Sequence, residues 1–189
     1  VSEMPSGPGV INEKTIKIIA RSVPAEIETF LLTSKQNSAL IIEQIRKCGT
    51  NTVQIVDELI QGSYDDIKEQ FPNVKIVQVI HVNNEKDITI AQELSKFVDA
   101  LLLDSGNQSL IIKELGGTGR IHDWEISREI VKSVKIPVYL AGGLNHENVE
   151  EAVKKVQPFG IDLCSSVRTD GKLDSIKLRR LFDVVNSIN

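Results

Sequence analysis

The chain has 189 residues, 41% hydrophobic and 25% charged, with 22 Lys and Arg against 26 Asp and Glu for a formal charge of -4. That balance suits a single globular domain over 1–189 and excludes disorder, because apolar side chains are plentiful enough to offset chain entropy. With no basic stripe and only 4% aromatic residues, neither nucleic acid nor an anionic membrane surface is an expected partner.

No apolar run approaches the ~20 residues of a membrane helix, and no signal-peptide pattern follows Val1. Cys48 and Cys164 stand far apart without metal-ligand spacing, as in a reducing compartment. The expectation is a cytoplasmic protein, monomer or homodimer, holding no metal.

In chain order, Val1-Ser2-Glu3 reads as the tail of a strand, Met4–Gly9 (MPSGPG) as a loop, and Ile11–Ala20 as the start of a helix. Strands are expected at Glu26–Thr33, Thr52–Val56, Val74–Val82, Val98–Leu103, Pro137–Ala141 and Ile161–Leu163. Several are nearly continuous apolar runs, as when both faces of a parallel sheet are covered. Between them lie helical patterns. SALIIEQIRKC (Ser38–Cys48) is one, and Ile126, Ile130, Val131 and Val134 recur at helical spacing. So do Val149, Ala152, Val153 and Val156, then Leu178, Leu181, Phe182 and Val185. Asp123 and Asn145 stand where an N-cap belongs. Pro158 and Gly160 are expected to end a helix before the next strand.

Alternating β and α units imply a parallel sheet with helical crossovers. No G-x-G-x-x-G follows the first strand. The glycine clusters come later instead: Gly116-Gly117-Thr118-Gly119, and Gly142-Gly143 after PVYLA, with Ser165-Ser166 after IDLC. Barrels commonly build a phosphate site from the loops after their last two strands. The expected fold is therefore an α/β (β/α)8 TIM barrel. About six complete units are visible where eight are needed. The first strand–helix unit and most of strand two are expected to lie outside the 189 residues.

LLDS (Leu102–Ser105), GGTGRIHDW (Gly116–Trp124), LAGGLNHENV (Leu140–Val149) and QPFGIDLCSSV (Gln157–Val167) together resemble phosphoribosylanthranilate isomerase, a (β/α)8 family of tryptophan biosynthesis. Order and spacing of all four agree. VQIVDE (Val53–Glu58) stands where the family has V-Q-L-H-G-E. The resemblance implies an Amadori rearrangement, in which a phosphorylated aminoaldose opens and becomes an aminoketose. That chemistry needs an acid at the ring oxygen, a base at sugar C2 and a grip on the phosphate, but no cofactor or metal.

Carried over by the resemblance, Asp123 is the general acid. Gly142, Gly143, Ser165 and Ser166 bind the phosphate of a phosphorylated small-molecule substrate, Asp162 lies near the sugar, and Gln54 is a further substrate- or phosphate-binding candidate. Arg168 is a further candidate for the phosphate. As general acid, Asp123 is expected to be partly buried, which raises a carboxyl pKa. Its place just before a helix works the other way by stabilising the anion, and the sequence leaves open which wins.

The sequence also departs from the family. The cysteine base of its K-x-C-G motif belongs to a first strand with no counterpart here, and Lys47-Cys48-Gly49 copies that motif at the end of a helical segment. The substrate-gripping arginine aligns with Gly9, the strand-four histidine with Val56, and the following glycine with Asp57. Cys164 reads as a small core residue, Trp124 as core packing, and His81, His122 and His146 as locally hydrogen-bonded or solvated. Two alternatives stay open: a divergent barrel acting on another phosphorylated sugar, and a non-catalytic phosphate-ligand-binding relative.

Overall fold

The computed structural model describes residues 1–4, 9–106, 115 and 120–188. Strands β1 (Phe30–Thr33), β2 (Thr52–Ile55), β3 (Lys75–His81), β4 (Ala100–Asp104), β5 (Val138–Leu140) and β6 (Gly160–Ile161) form one sheet in chain order. Every pairing in it is parallel. The crossovers carry α1 (Glu13–Ser22), α2 (Ser38–Cys48), α3 (Tyr64–Gln70), α4 (Lys86–Leu94), α5 (Trp124–Ser133) and α6 (Val149–Val156), and α7 (Ser175–Asn186) ends the chain. The strands thus run as the alternating pattern predicts, each shorter than its apolar run.

Short polar side chains start the helices by accepting otherwise orphaned N–H groups. Asn37 accepts from Ala39 and Leu40, Asp174 from Ile176 and Lys177, and Ser63 with Asp66 forms a reciprocal capping box. Two boundaries differ from the expectation. Asn145 caps a single turn, its Oδ1 accepting from Glu147 N at 2.8 Å, and the helix proper begins only after Asn148. It ends at Gln157, which takes the left-handed conformation (φ 56°); Gly160 is already in β6.

Alternation along each strand separates two apolar layers. Leu31, Val53, Ile55, Ile76, Leu101, Leu103 and Leu140 face outward and pack with Ile41, Ile45 and Cys48 of α2, Ile67 of α3, Ala91 of α4 and Ile130 of α5. Val56, Val77, Val79, Ala100, Leu102 and Ala141 face inward, with Phe30, Leu32 and Tyr139 against them.

The inward layer reveals the curvature. Phe30 on β1 and Tyr139 on β5 are four strand positions apart, ~19 Å in a flat sheet. Their ring centroids lie 6.4 Å apart, edge to face. The sheet is curled as a barrel wall. Val1–Glu3 runs beside the outer edge of β1, where Ser2 N donates to Leu32 O at 3.0 Å.

A hairpin that the sequence pattern does not foreshadow, β7 (Arg168–Thr169) with β8 (Lys172–Leu173), is inserted before α7. No described helix is long and apolar enough to cross a membrane.

Candidate active site

Parallel strands place their C-terminal ends on one face, and barrel sites lie there. Across that face the register sets His81 of β3 beside Asp104 of β4. One step beyond the paired residues, Asp104 is followed by Ala141 and then Asp162, the residues just after β5 and β6. Four adjacent strands therefore present a row of imidazole, carboxylate, methyl and carboxylate.

His81 is buried, and its Nε2 lies 3.0 Å from Val56 O. A carbonyl only accepts, so Nε2 carries the hydrogen of that bond. Asp104 Oδ1 accepts from Ser105 N at 2.7 Å. Protein packed around the Asp162 carboxyl, and then the Asp104 charge, push the pKa of Asp162 up, although its side chain still meets solvent within the cavity.

Above the row is a cavity of about 440 Å³, lined by Asp104, Ala141 to His146, Asp162 to Ser166, and Lys177 and Arg180 from α7. Two turns define its wall. The first is Gly142-Gly143, both with positive φ (84° and 65°). The side chain of Asn148 clamps it: Oδ1 accepts from Asn145 N at 2.9 Å while Nδ2 donates to Gly143 O at 3.0 Å. Among the described residues, the N–H groups of Gly142 and Gly143 have no acceptor. The second turn is the 3-10 segment Ser165–Val167. Ser166 Oγ is buried there without a hydrogen-bond partner among the described residues. Free backbone donors and an orphaned hydroxyl at one cavity suit an anion.

Gly142 is also a packing requirement. A Cβ at this position would stand 3.0 Å from His122 Nδ1 and 3.2 Å from both Arg120 O and Ser105 Cβ. His122 is buried under the first turn of α5, its Nε2 2.8 Å from Ser127 Oγ. Burial lowers its pKa, opposed by the charges of Asp104 and Asp123.

Of the residues singled out from sequence, Gly142, Gly143, Asp162, Ser165 and Ser166 converge on this cavity; three others do not line it. Asp123 is the N-cap of α5, with Oδ1 accepting from Glu125 N at 2.8 Å. It is exposed, contrary to the expected partial burial, because the cap geometry turns the carboxylate toward the end of the helix. Gln54 is buried on the inner face, paired in register with Leu32 and Val77, two inward-facing positions below the row. Arg168 is directed away: its Nη1 donates to Gly171 O at 3.1 Å and braces the hairpin. The Gly116–Gly119 cluster lies outside the described residues.

Cys48 is buried in the outer layer, and burial followed by the Glu13 charge pushes its thiol up. It is no counterpart of a barrel-mouth base. Cys164, expected in the core, is exposed at the cavity. Trp124 is buried, as expected.

Asp104, Lys177 and Arg180 were not singled out, although the three-residue spacing of the two cations beside the apolar positions Leu178 and Leu181 places them together on α7. Among the described residues no group of three or more His, Cys, Asp or Glu is placed to hold a metal ion.

Comparison with known proteins agrees with this layout. The family model for N-(5'-phosphoribosyl)anthranilate isomerase matches residues 4–184. An isomerase of that name from Methanosarcina acetivorans is 32% identical, over 98% of this chain and 82% of the relative. A second, from Methanosarcina mazei, is 35% identical over 89% of this chain and 74% of its own length. The solved phosphoribosylanthranilate isomerase of Thermococcus kodakaraensis superposes with a TM-score of 0.76 at 26% identity, covering 96% of this chain and 84% of that one. A family match over nearly the whole chain, close relatives and a shared barrel architecture lead to one conclusion: the chain belongs to the phosphoribosylanthranilate isomerase family.

Proposed function

We propose that the protein catalyses the Amadori rearrangement of N-(5'-phosphoribosyl)anthranilate to 1-(2-carboxyphenylamino)-1-deoxyribulose 5-phosphate, in tryptophan biosynthesis. The observation that carries this reading is one cavity lined by the Gly142-Gly143 turn with its unbonded N–H groups, by Ser166 with its orphaned hydroxyl, and by Asp162. In this reading the 5'-phosphate sits between those two turns. Ser165 borders it, and the sugar hydroxyls point to Asp162 and the inner face toward Gln54.

Asp123 gives its proton to the ring oxygen. The C1–O bond breaks, and nitrogen donates its lone pair to form an iminium ion. Removal of the C2 proton yields an enolamine, whose tautomerisation leaves the ketone at C2. Electrons only move within the substrate, so no redox partner is needed. Supporting Asp123 is its free second oxygen: Oδ1 makes the cap, and no described residue bonds Oδ2. Acid and base each contribute ~10²–10⁴-fold in such steps.

The base is assigned to a strand ahead of Val1. Support comes from the sheet edge, where Ser2 pairs with Leu32 beside β1. The other edge of the described sheet is β6. In this reading 1–189 is one domain, part of a barrel whose first unit lies upstream.

The test is conversion of N-(5'-phosphoribosyl)anthranilate by the native protein, together with growth without tryptophan of cells lacking their own isomerase. Failure of both, with the protein folded, overturns the assignment.

A further inference from the structure

The geometry points to Lys177 and Arg180 of α7 as the cationic wall of the anion subsite. They take the outer face of a bound phosphate dianion, and the carboxylates of Asp104 and Asp162 take hydroxyl groups. The inference rests on reading this cavity as a phosphate subsite.

Both cations line the cavity with the Gly142-Gly143 turn and Ser166. Their orientation is set by packing. Leu178, Leu181 and Val185 of α7 bury against Val149 and Val153 of α6, and residues 177 and 180, one turn apart, flank that stripe on one side. Lys177 Nζ donates once, to Arg168 O at 2.9 Å, leaving two N–H groups to serve a ligand. Arg180 has no carboxylate or acceptor among the described residues. An arginine unpaired among the described residues, in one cavity lining with unbonded donors, is an arrangement that an anion completes, since guanidinium donors match phosphate oxygens two at a time.

The carboxylates in the same lining make the cations necessary. Asp104 and Asp162 repel any anion admitted to the cavity, and neutral N–H groups alone leave that repulsion standing. With cations from α7 and carboxylates from the strand row both in its lining, the cavity is bipolar. It selects a ligand that is anionic at one end and hydroxylated at the other, in one orientation.

Binding of inorganic phosphate, followed by calorimetry and by competitive inhibition, tests this. Arg180→Gln is expected to raise the phosphate Kd ~5-fold, and Lys177→Gln with Arg180→Gln together ~20-fold or more, as loss of charge-assisted hydrogen bonds predicts. KM for the phosphorylated substrate should rise in step while kcat holds, because the contact is equal in ground and transition states. Arg180→Lys should recover part of the affinity. Arg179→Gln, an exposed position on the same helix that does not line the cavity, should leave Kd unchanged and so controls for net charge.

If the wild-type protein binds phosphate and the double variant binds it equally well, the cationic wall is refuted and the subsite stands. If the wild-type protein binds no phosphate, the subsite reading falls, and this inference with it.

Discussion

Replacing Gly142 by alanine separates two costs that a tight turn can carry. At φ +84° an L-residue is strained by ~1–2 kcal/mol, because its Cβ crowds the adjacent carbonyl. The new methyl would also meet His122 Nδ1 at 3.0 Å and a backbone oxygen and Ser105 Cβ at 3.2 Å. None of these is the free end of a flexible side chain: the His122 ring is fixed by Ser127. Such overpacking costs a further ~1–3 kcal/mol.

Gly171 supplies the reference. Its φ is +74°, and a methyl group added there would meet nothing within 4 Å, so Gly171→Ala should show the backbone strain alone. For a chain of this size each kcal/mol moves Tm by ~2–4 °C. Gly171→Ala should therefore lower Tm by ~2–8 °C. Gly142→Ala should lower it by ~4–20 °C, read by scanning calorimetry and checked by urea midpoints. The difference between the two variants measures the contact with His122. Equal losses would refute the close approach of the Gly142-Gly143 turn to His122 at the start of α5.

Asp123→Asn keeps a capping oxygen but has no proton to give; turnover should fall ~10²-fold or more while stability changes by less than ~1 kcal/mol. Retained turnover in that variant would make Asp123 structural. The lowered pKa of His122 means that the folded protein favours the neutral ring, so its contribution is complete above the ordinary value of 6.5 and is lost as pH falls below it. His122→Phe should flatten the decline in unfolding free energy below about pH 6.5, and an unchanged slope would assign the decline to other groups. Cys48→Ser should preserve kcat and cost ~1–3 kcal/mol for a hydroxyl buried in an apolar layer, and a collapse of kcat in a folded Cys48→Ser protein would restore that thiol as a catalytic candidate.

The strands were legible because parallel sheets buried on both faces leave long β-branched runs in the sequence. Their ends were not: Glu26–Thr33 pairs only from Phe30, because Thr29 N donates instead to the Asn51 side chain. Helices α5 and α6 bury three residues each and announce themselves by spacing. Helix α3 buries only Ile67, so no stripe marks it. At the site, the glycine and serine pairs were legible from their place after the strands. The cations of α7 were hidden because their role depends on which side of the helix meets the cavity, and helix packing decides that. The exposure of Asp123 was equally hidden, since one residue type serves as cap or acid and only the surroundings tell which.

The chain-order pairing of the sheet bears on how such a protein tolerates change. Most neighbouring strands join residues about 21 to 23 positions apart, whereas Leu101 and Val138 are about 37 apart. Closing the longer segment costs only ~0.4 kcal/mol more in loop entropy, because that cost grows with the logarithm of length. The connection leading to Asp123 can therefore gain or lose residues almost freely as far as the stability of the wall is concerned. Variation in reach and specificity can accumulate there while the pairing on either side stays the same.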